Sequence, residues 1–546
     1  MSINIDRRRL IIGASLGLGA LLLPTGRLLA AEVQAAKGFT HNVASGEPGP
    51  DSMLLWTRYV PPGDAQETTL QVEVASDREF RQVVSGASVR TGAYRDWTTK
   101  LTVTGLQPGT TYWYHFIAAD GSHSPTGRTR TLPVGDVPRF KLGLFSCSNL
   151  PMGWFNAYAH AAQREDMDLW LHVGDYIYEY GIASYKMHDR IAEREVMPAH
   201  AHEMISLLDY RLRFACYRAD PDLQALHQNA AMVALWDDHE STNDSWEGGA
   251  QNHQPGTEGD WNARKSAAMQ AYREWMPVSE EPWKAYQIGN LGTLYRTESR
   301  LIGRTQPADI ASAYQAGTDA ALEAFRDGPW QDPSATMLGL EQEHWLYQAM
   351  AENARRSRWQ LVGMGTILGR TLMPVDTLRM LRSDASERTV QAFSNNIRGT
   401  RLGLPMWMDR WDGYPAARAR LLQAAQRADA DLVMLSGDSH NAWAYSLQQD
   451  GHPAGVEFAV QGVTSGGIEG NMGAAPSDVA RAFISTNPEL AWCDTSRRGY
   501  ALLDITPGQI TGEWTFVQDI KTRGIATTAS HRMRVQRDRR AFEKMA

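Results

Sequence analysis

The sequence predicts a small all-β domain followed by a larger α/β domain. Three observations predict it. Residues 40–135 hold short alternating apolar runs broken by Gly and Pro. From Phe140 onward, apolar runs at 140–147, 168–173, 231–236, 359–366 and 431–436 are separated by longer stretches with helical spacing. Four of these regions end in residues that favour metals: Phe145–Asn149, Gly174–Glu179, Trp236–Glu240 and Gly437–His440. Binding sites of open α/β sheets lie at the carboxyl ends of the strands, so the four ends predict one shared centre.

The elements follow in order. Asp6-Arg-Arg-Arg9 precedes an apolar run from Leu10 to Leu23, then Pro24 and small residues to Ala36. This order reads as a secretory signal over 1–36, and the arginine pair resembles a twin-arginine signal. An uncleaved anchor is the alternative, although the run is short for a spanning helix. The expected route is the twin-arginine translocation machinery, with the mature chain in the periplasm or secreted and not an integral membrane protein. The β-sandwich is placed at 38–135. It includes Ser52–Arg58, Leu70–Ala75, Leu101–Leu106 and Tyr112–Ile117, and Leu106–Tyr112 resembles a corner of fibronectin type III domains. The α/β domain is placed at 140–525. Within it, 180–345 reads mostly helical, as in His202–Tyr217 and Ala263–Trp275, and Tyr500–Ile505 with Gln509–Val517 reads as a hairpin. Residues 526–546 read as a basic, helix-prone tail.

The 546 residues carry a formal net charge of −8, which argues against a general or sequence-specific nucleic-acid binder. An anionic substrate must then be drawn by local charge, which bound cations would supply. Of the three cysteines, Cys147 lies in a motif. Cys216 and Cys493 either pair or sit as buried thiols.

Gly174 permits a sharp turn after the strand, and Asp175 leaves the sheet end where a carboxylate can bridge two cations. Tyr178, three residues on, offers a hard phenolate donor; Asp175 as a helix N-cap among core tyrosines explains the run equally well. Asp238 is the ligand chosen from Trp236–Glu240. His239 is placed against substrate as a proton donor, and Glu240 orients a neighbour. Asp438 and His440, two apart, share a side of an extended chain and so reach neighbouring ions. Cys147 would be a thiolate ligand, with Asn149 beside it; plain core is its alternative. Arg300 and Arg304 are candidates to bind phosphate as guanidinium forks, with a solvated face the preferred reading, and the tryptophans of 236–290 read as core rather than a stacking surface.

Together, Cys147-Ser-Asn149, Gly174-Asp-Tyr-Ile-Tyr178, Asp237-Asp-His-Glu240 and Gly437-Asp-Ser-His440 resemble the ordered motifs of metallophosphoesterases. Cysteine replaces the usual first Asp, aspartate the usual Asn, and aspartate the first His of the last motif. That altered set resembles the PhoD-type alkaline phosphatase and phosphodiesterase family, related to purple acid phosphatases. Val43–Pro48, Leu55–Arg58 and Val463–Gly466 extend the likeness over about 40–520. The resemblance implies a metallophosphoesterase-like αββα sandwich with Fe3+ and Ca2+. Cys147, Asp175, Tyr178 and His440 would hold the iron; Asp175, Asp238 and Asp438 would form an all-oxygen subsite suited to calcium. Zn2+ or Mn2+ are the alternatives, and Asn243 is a candidate contributor to a further calcium.

The implied chemistry is hydrolysis of phosphate mono- and diesters through metal-activated hydroxide, with His239 and Asp175 as catalytic residues. Small phosphate esters, phosphodiester polymers and phospholipid headgroups are the implied substrates. The alternatives are a phospholipase D-like phosphodiesterase, a di-zinc or di-manganese phosphoesterase, and a cell-surface binding protein with a degenerate site.

Overall fold

The computed structural model describes residues 36–184, 187, 189–195 and 199–543. The signal read over 1–36 lies almost wholly outside the described residues. Among them, no helix is long and apolar enough to cross a membrane.

Two sheets stack face to face. The first has nine strands, and its centre is a parallel set: Phe140–Phe145, Leu169–Val173 and Met232–Leu235. The second has seven strands, with Gly292–Arg296, Trp359–Gly363, Leu432–Ser436 and His452–Ala459 parallel at its centre. Period two sorts their side chains. Leu142, Leu144, Leu169, Leu171, Val173, Val233 and Leu235 meet Leu294, Leu361, Val433, Leu435 and Phe458 between the sheets. The intervening Phe145, Trp170, Met232 and Ala234 face outward onto the helices Asn156–Ala162, Leu207–Arg218, Pro221–Asn229 and Trp261–Trp275. Val362, Leu432 and Met434 face Leu340–Asn353, Pro415–Arg427 and Pro476–Thr486. Strands buried on both faces read as near-continuous apolar runs, as most of these do, with interruptions such as Lys141, His172, Gln360 and Glu457. The result is the expected αββα sandwich.

The preceding all-β region shares a sheet with it. Glu67–Ala75, Val83–Gly92, Thr111–Ala118 and Gly127–Arg130 form their own antiparallel sheet. Val43–Gly46, Ser52–Arg58 and Thr98–Thr104 instead extend the nine-stranded sheet, joined where Gly46 pairs in parallel with Met232.

Three readings need correction. The helix expected from His202 begins at Leu207, because Ser206 and Asp209 close a capping box there. The region read as mostly helical contains Lys284–Ile288 and Gly292–Arg296, a hairpin whose second strand lies inside the second sheet. The tail read as helical contributes Thr527–Gln536, the edge strand of the nine-stranded sheet. Met533 and Val535 point inward while Arg532 pairs outward with Glu513 at 3.0 Å, so alternation overrides helix propensity. The three cysteines are free and buried; Cys216 and Cys493 pack in different clusters on opposite outer faces.

His172 faces outward on its strand, fully buried, with Nε2 2.9 Å from the Tyr158 hydroxyl. Burial pushes its imidazole down to about 3. The neutral ring therefore favours the fold fully above the ordinary value of about 6.5, and that contribution is lost as pH falls toward 3. We expect His172→Gln to flatten the acid limb by up to roughly 1.4 kcal/mol per pH unit, read by denaturant unfolding at about pH 7 and about pH 5.

Candidate metal centre

Because the central strands run parallel, their carboxyl ends meet at one edge of the sandwich. Phe145 leads to Cys147, Val173 to Asp175, Leu235 to Asp237 and Asp238, Ser436 to Asp438 and His440. Cys147, Asp175, Asp438 and His440 all have left-handed backbone, with φ of 58°, 57°, 63° and 62°. That conformation is uncommon for residues other than glycine and clusters at functional sites. It corrects the expectation of an extended chain through Asp438 and His440: the backbone turns at each, which aims them separately. Gly174, at φ 99°, cannot be replaced, since a Cβ there would lie 2.4 Å from that of Asp237.

Glu240 ties two strand ends together. Its carboxylate accepts the backbone N–H of Asp175 (3.1 Å), Tyr176 (2.6 Å) and Asp237 (2.9 Å). These bonds hold Asp175 beside the second strand.

Two donor groups share Asp175. Ligand atoms of Cys147, Asp175 and His440 lie within 4.8 Å of one another, as do those of Asp175, Asp238 and His239. The Tyr178 hydroxyl donates to Asp175 Oδ2 at 2.9 Å, lies 3.2 Å from His440 Nε2, and accepts from Ser465 Oγ at 2.7 Å. His440 Nδ1 is 2.6 Å from the Gly466 carbonyl, which turns Nε2 toward the site. Asp238 accepts the backbone N–H of Asp244 at 2.7 Å. Besides Asp175, the carboxylates of Asp244 and Asp409 come within 4.8 Å of Asp238. Asp438 Oδ2 accepts from Thr366 Oγ1 (3.1 Å) and Arg410 Nε (3.2 Å).

His239 is a separate feature. Its Nδ1 is 2.7 Å from Glu179 Oε2, and the Tyr178 ring packs on it at 4.2 Å. Glu179 Oε1 accepts from the Asn243 backbone (2.9 Å) and Asn252 Nδ2 (3.0 Å). Asn243 Oδ1 accepts the Tyr180 hydroxyl, so Asn243 supports the Glu179–His239 pair.

Sequence reasoning missed Asp244, Asp409, Glu179 and Arg300. Arg300, read as solvated, is fully buried: it pairs with Asp237, reaches Asp409 Oδ2 at 2.6 Å and faces Asp238 at 3.9 Å. Arg304, also read as solvated, is buried against Asp409 at 2.6 Å. The structural cue for Arg300 is the fully buried strand Gly292–Arg296 that precedes it; nothing local marks Asp409. Trp236, Trp261 and Trp275 are core, as expected, while Trp246 and Trp283 are half-buried.

The electrostatics call for cations. Burial, then the charge of Asp175, pushes the Cys147 thiol well up. Burial, then Asp175 and Cys147, does the same to the Tyr178 phenol. Burial also raises Asp175 and Asp237, the latter against the opposing pull of Arg300. Burial pulls His239 down, but Asp238, Glu179 and Asp175 together hold it well above its ordinary value. Buried acids crowded this way are costly unless a cation offsets them. Among the described residues, the site acceptors Asp175 Oδ1, Asp237 Oδ2 and Asn149 Oδ1 are buried with no hydrogen-bond partner. Thiol, carboxylate, phenol and imidazole donors around an unpartnered carboxylate oxygen fit a metal.

Comparison with known proteins agrees with this geometry. Residues 142–514 match the family model for PhoD-like phosphatase, and residues 26–133 match that of the PhoD-like phosphatase N-terminal domain. The chain is 29% identical over 574 residues to alkaline phosphatase D of Bacillus subtilis (strain 168), covering 99% of this chain and 89% of the relative. A solved structure of PhoD superposes with TM-score 0.76 at 26% identity, covering 94% of this chain and 93% of that one. Purple acid phosphatase PPD1 from yellow lupin (Lupinus luteus) seeds shares the fold at TM-score 0.52 and 13% identity, covering 91% and 74%.

Proposed function

The chain belongs to the PhoD-like phosphatase family and is a phosphoesterase, and from that premise we propose an exported, metal-dependent alkaline phosphatase that also cleaves phosphodiesters. The observation that carries the reading is the pair of donor groups meeting at Asp175.

Cys147, Asp175, Tyr178 and His440 would hold Fe3+. Asp175, Asp238 and Asp438 would hold Ca2+, with Asp244 and Asp409 close enough to Asp238 to share its load. When bound, the cations supply Lewis acidity toward the phosphoryl oxygens and acidify water into the nucleophile. A thiol–phenol–imidazole set favours iron or zinc, and the carboxylate set favours calcium, magnesium or manganese. Export by the twin-arginine route suits a protein that folds around its metals first.

The chain's own residues handle the proton. Glu179 receives the Nδ1 side of His239, and the Tyr178 ring fixes the plane of the imidazole, leaving the opposite nitrogen for substrate. Of the carboxylates that raise this ring, Glu179 lies outside the proposed ligand set, so its charge would still favour the protonated form, as a donor to the departing oxygen requires, once cations occupy Asp175 and Asp238. Glu240, through three backbone N–H groups, keeps the strand ends in register beneath it.

The test of the reading is hydrolysis of p-nitrophenyl phosphate and bis-p-nitrophenyl phosphate by protein purified without added metal, with elemental analysis of the same sample. Turnover of both with iron and calcium bound is the expected result; activity restored to stripped protein by zinc alone would replace it with the di-zinc alternative. We further expect His239→Gln to lower kcat by about 10²–10⁴-fold on alkyl phosphates, whose leaving group needs a proton. The loss on p-nitrophenyl phosphate is smaller, because its phenolate leaves unprotonated. Equal losses on both would remove His239 from the proton-donor role.

A further inference from the structure

Residues 404–412 approach the metal centre from outside the four motif runs. The segment is pinned at two points. The Met406 N–H donates to the Thr371 carbonyl at 3.0 Å, and the Asp409 carboxylate accepts from Arg300 and Arg304 at 2.6 Å each. Between and beside these anchors stand Trp407 and Arg410. Arg410 is 6% exposed, and its Nε donates to Asp438 Oδ2 at 3.2 Å. Among the described residues, its Nη1 is buried with no hydrogen-bond partner. Trp407 lies over the same guanidinium at 3.9 Å and is 38% exposed, although Met406 before it is buried.

A guanidinium has five donors in a fixed plane, and one edge bonded to Asp438 leaves the rest of the fork to be satisfied. An unsatisfied buried donor is expensive, so its partner is expected to come from substrate. A phosphoryl oxygen is the acceptor that matches a planar fork. The indole, held over the cation and open to solvent, extends that plane outward as a wall. From this we propose that Arg410 binds a substrate phosphoryl oxygen and that Trp407 forms the leaving-group wall, favouring esters with planar aromatic leaving groups. The proposal rests on the phosphatase reading above.

The experiment uses the full-length, metal-loaded enzyme with Trp407→Ala, Trp407→Phe and Arg410→Lys. Kinetics on p-nitrophenyl phosphate and glycerol 2-phosphate are compared, inorganic phosphate binding is measured by titration calorimetry, and metal content is assayed. Trp407→Ala should raise KM for the aromatic ester roughly three- to tenfold more than for the glycerol ester, and Trp407→Phe should restore most of it. Arg410→Lys keeps a positive charge beside Asp438 but loses the fork, so phosphate binding should weaken about tenfold or more at unchanged metal content. Equal KM changes on both esters would overturn the wall. Phosphate bound as tightly as by wild type, or weakened only in proportion to lost metal, would overturn the Arg410 contact. Wild-type protein that hydrolyses neither ester would sink the phosphatase reading, while the phosphate titration would still decide the Arg410 contact by itself.

Discussion

Asp175→Asn is expected to lower turnover by at least ~10³-fold, on the order of 4 kcal/mol of barrier, and to reduce bound metal. The choice of Asn over Ala follows from the backbone. Asp175 sits at φ 57°, a conformation that Asn tolerates and Ala does not, so the turn after Gly174 is kept. The backbone N–H bond to Glu240 is also kept, since it does not involve the side chain. What changes is the charge at the point shared by the two donor groups. The orphaned Oδ1 and the Oδ2 that receives Tyr178 no longer form a carboxylate. Without that charge the Cys147 thiol and Tyr178 phenol lose one cause of their raised values, yet also lose the bridge around which they would bind. The fold should survive or gain, because a buried carboxylate with an unpaired oxygen has been removed. Elemental analysis, activity and a thermal midpoint on one preparation check this. Wild-type activity with wild-type metal content would remove Asp175 from the centre, and with it the bridged arrangement.

Much of this architecture could be read from the sequence because its strongest signals coincide with its central elements. The strands at 140–145, 169–173, 232–235, 359–363 and 432–436 are buried on both faces almost throughout, so each appears as a mainly apolar run, broken only at Lys141, His172, Gln360 and Ser436. Their parallel direction brings Cys147, Asp175, Asp238 and His440 to one edge, which motif spacing alone could suggest. The parts that were not legible depend on distant partners. Gly292–Arg296 is a five-residue stretch, Gly-Thr-Leu-Tyr-Arg, with neither alternation nor a long apolar run, and its membership of the second sheet is set by pairing with Trp359–Gly363, more than sixty residues away. Arg300 follows that strand, so misreading the strand hid the arginine. Asp409 lies on a loop with no apolar run before it, and its contact with Arg300 spans 109 residues. The left-handed backbone at Cys147 and His440 was equally hidden, since cysteine does not favour it and histidine, though enriched there, adopts it only occasionally. Tertiary bonds hold it: Ser465 Oγ donates to the Cys147 carbonyl at 3.0 Å, and Arg498 Nη1 donates to that of His440 at 3.1 Å.

Arg300→Met should be the most destabilising single change at the site, costing about 3–5 kcal/mol, because it leaves buried carboxylates without their cation. The guanidinium is fully buried and meets three of them: Asp237 through Nε, Asp409 through Nη1 at 2.6 Å, and Asp238 at 3.9 Å from Nη2. Its position is fixed from the backbone side, where the Glu298 carboxylate accepts the N–H of Arg300 (2.8 Å) and Leu301 (2.6 Å) and the Trp236 indole N–H (2.7 Å). Methionine fills most of the volume without the charge, so the loss measures the unpaired acids rather than a cavity. Burial already holds Asp237 well above the usual carboxylate range, and Arg300 is what opposes it. Removing Arg300 therefore raises the folded-state value further. Arg300 is also among the causes that hold Asp238 below the ordinary carboxylate range; without it that carboxyl rises, the stability Asp238 contributes above its unfolded value near 4 is reduced, and the gap from wild type should widen from acid to neutral pH. Adding Asp409→Asn should return part of the loss, since one unpaired charge disappears; the coupling in that double-mutant cycle is the quantity to measure. Independent, additive effects of the two substitutions, or a gap that does not change with pH, would mean that Arg300 serves packing and not charge balance among Asp237, Asp238 and Asp409.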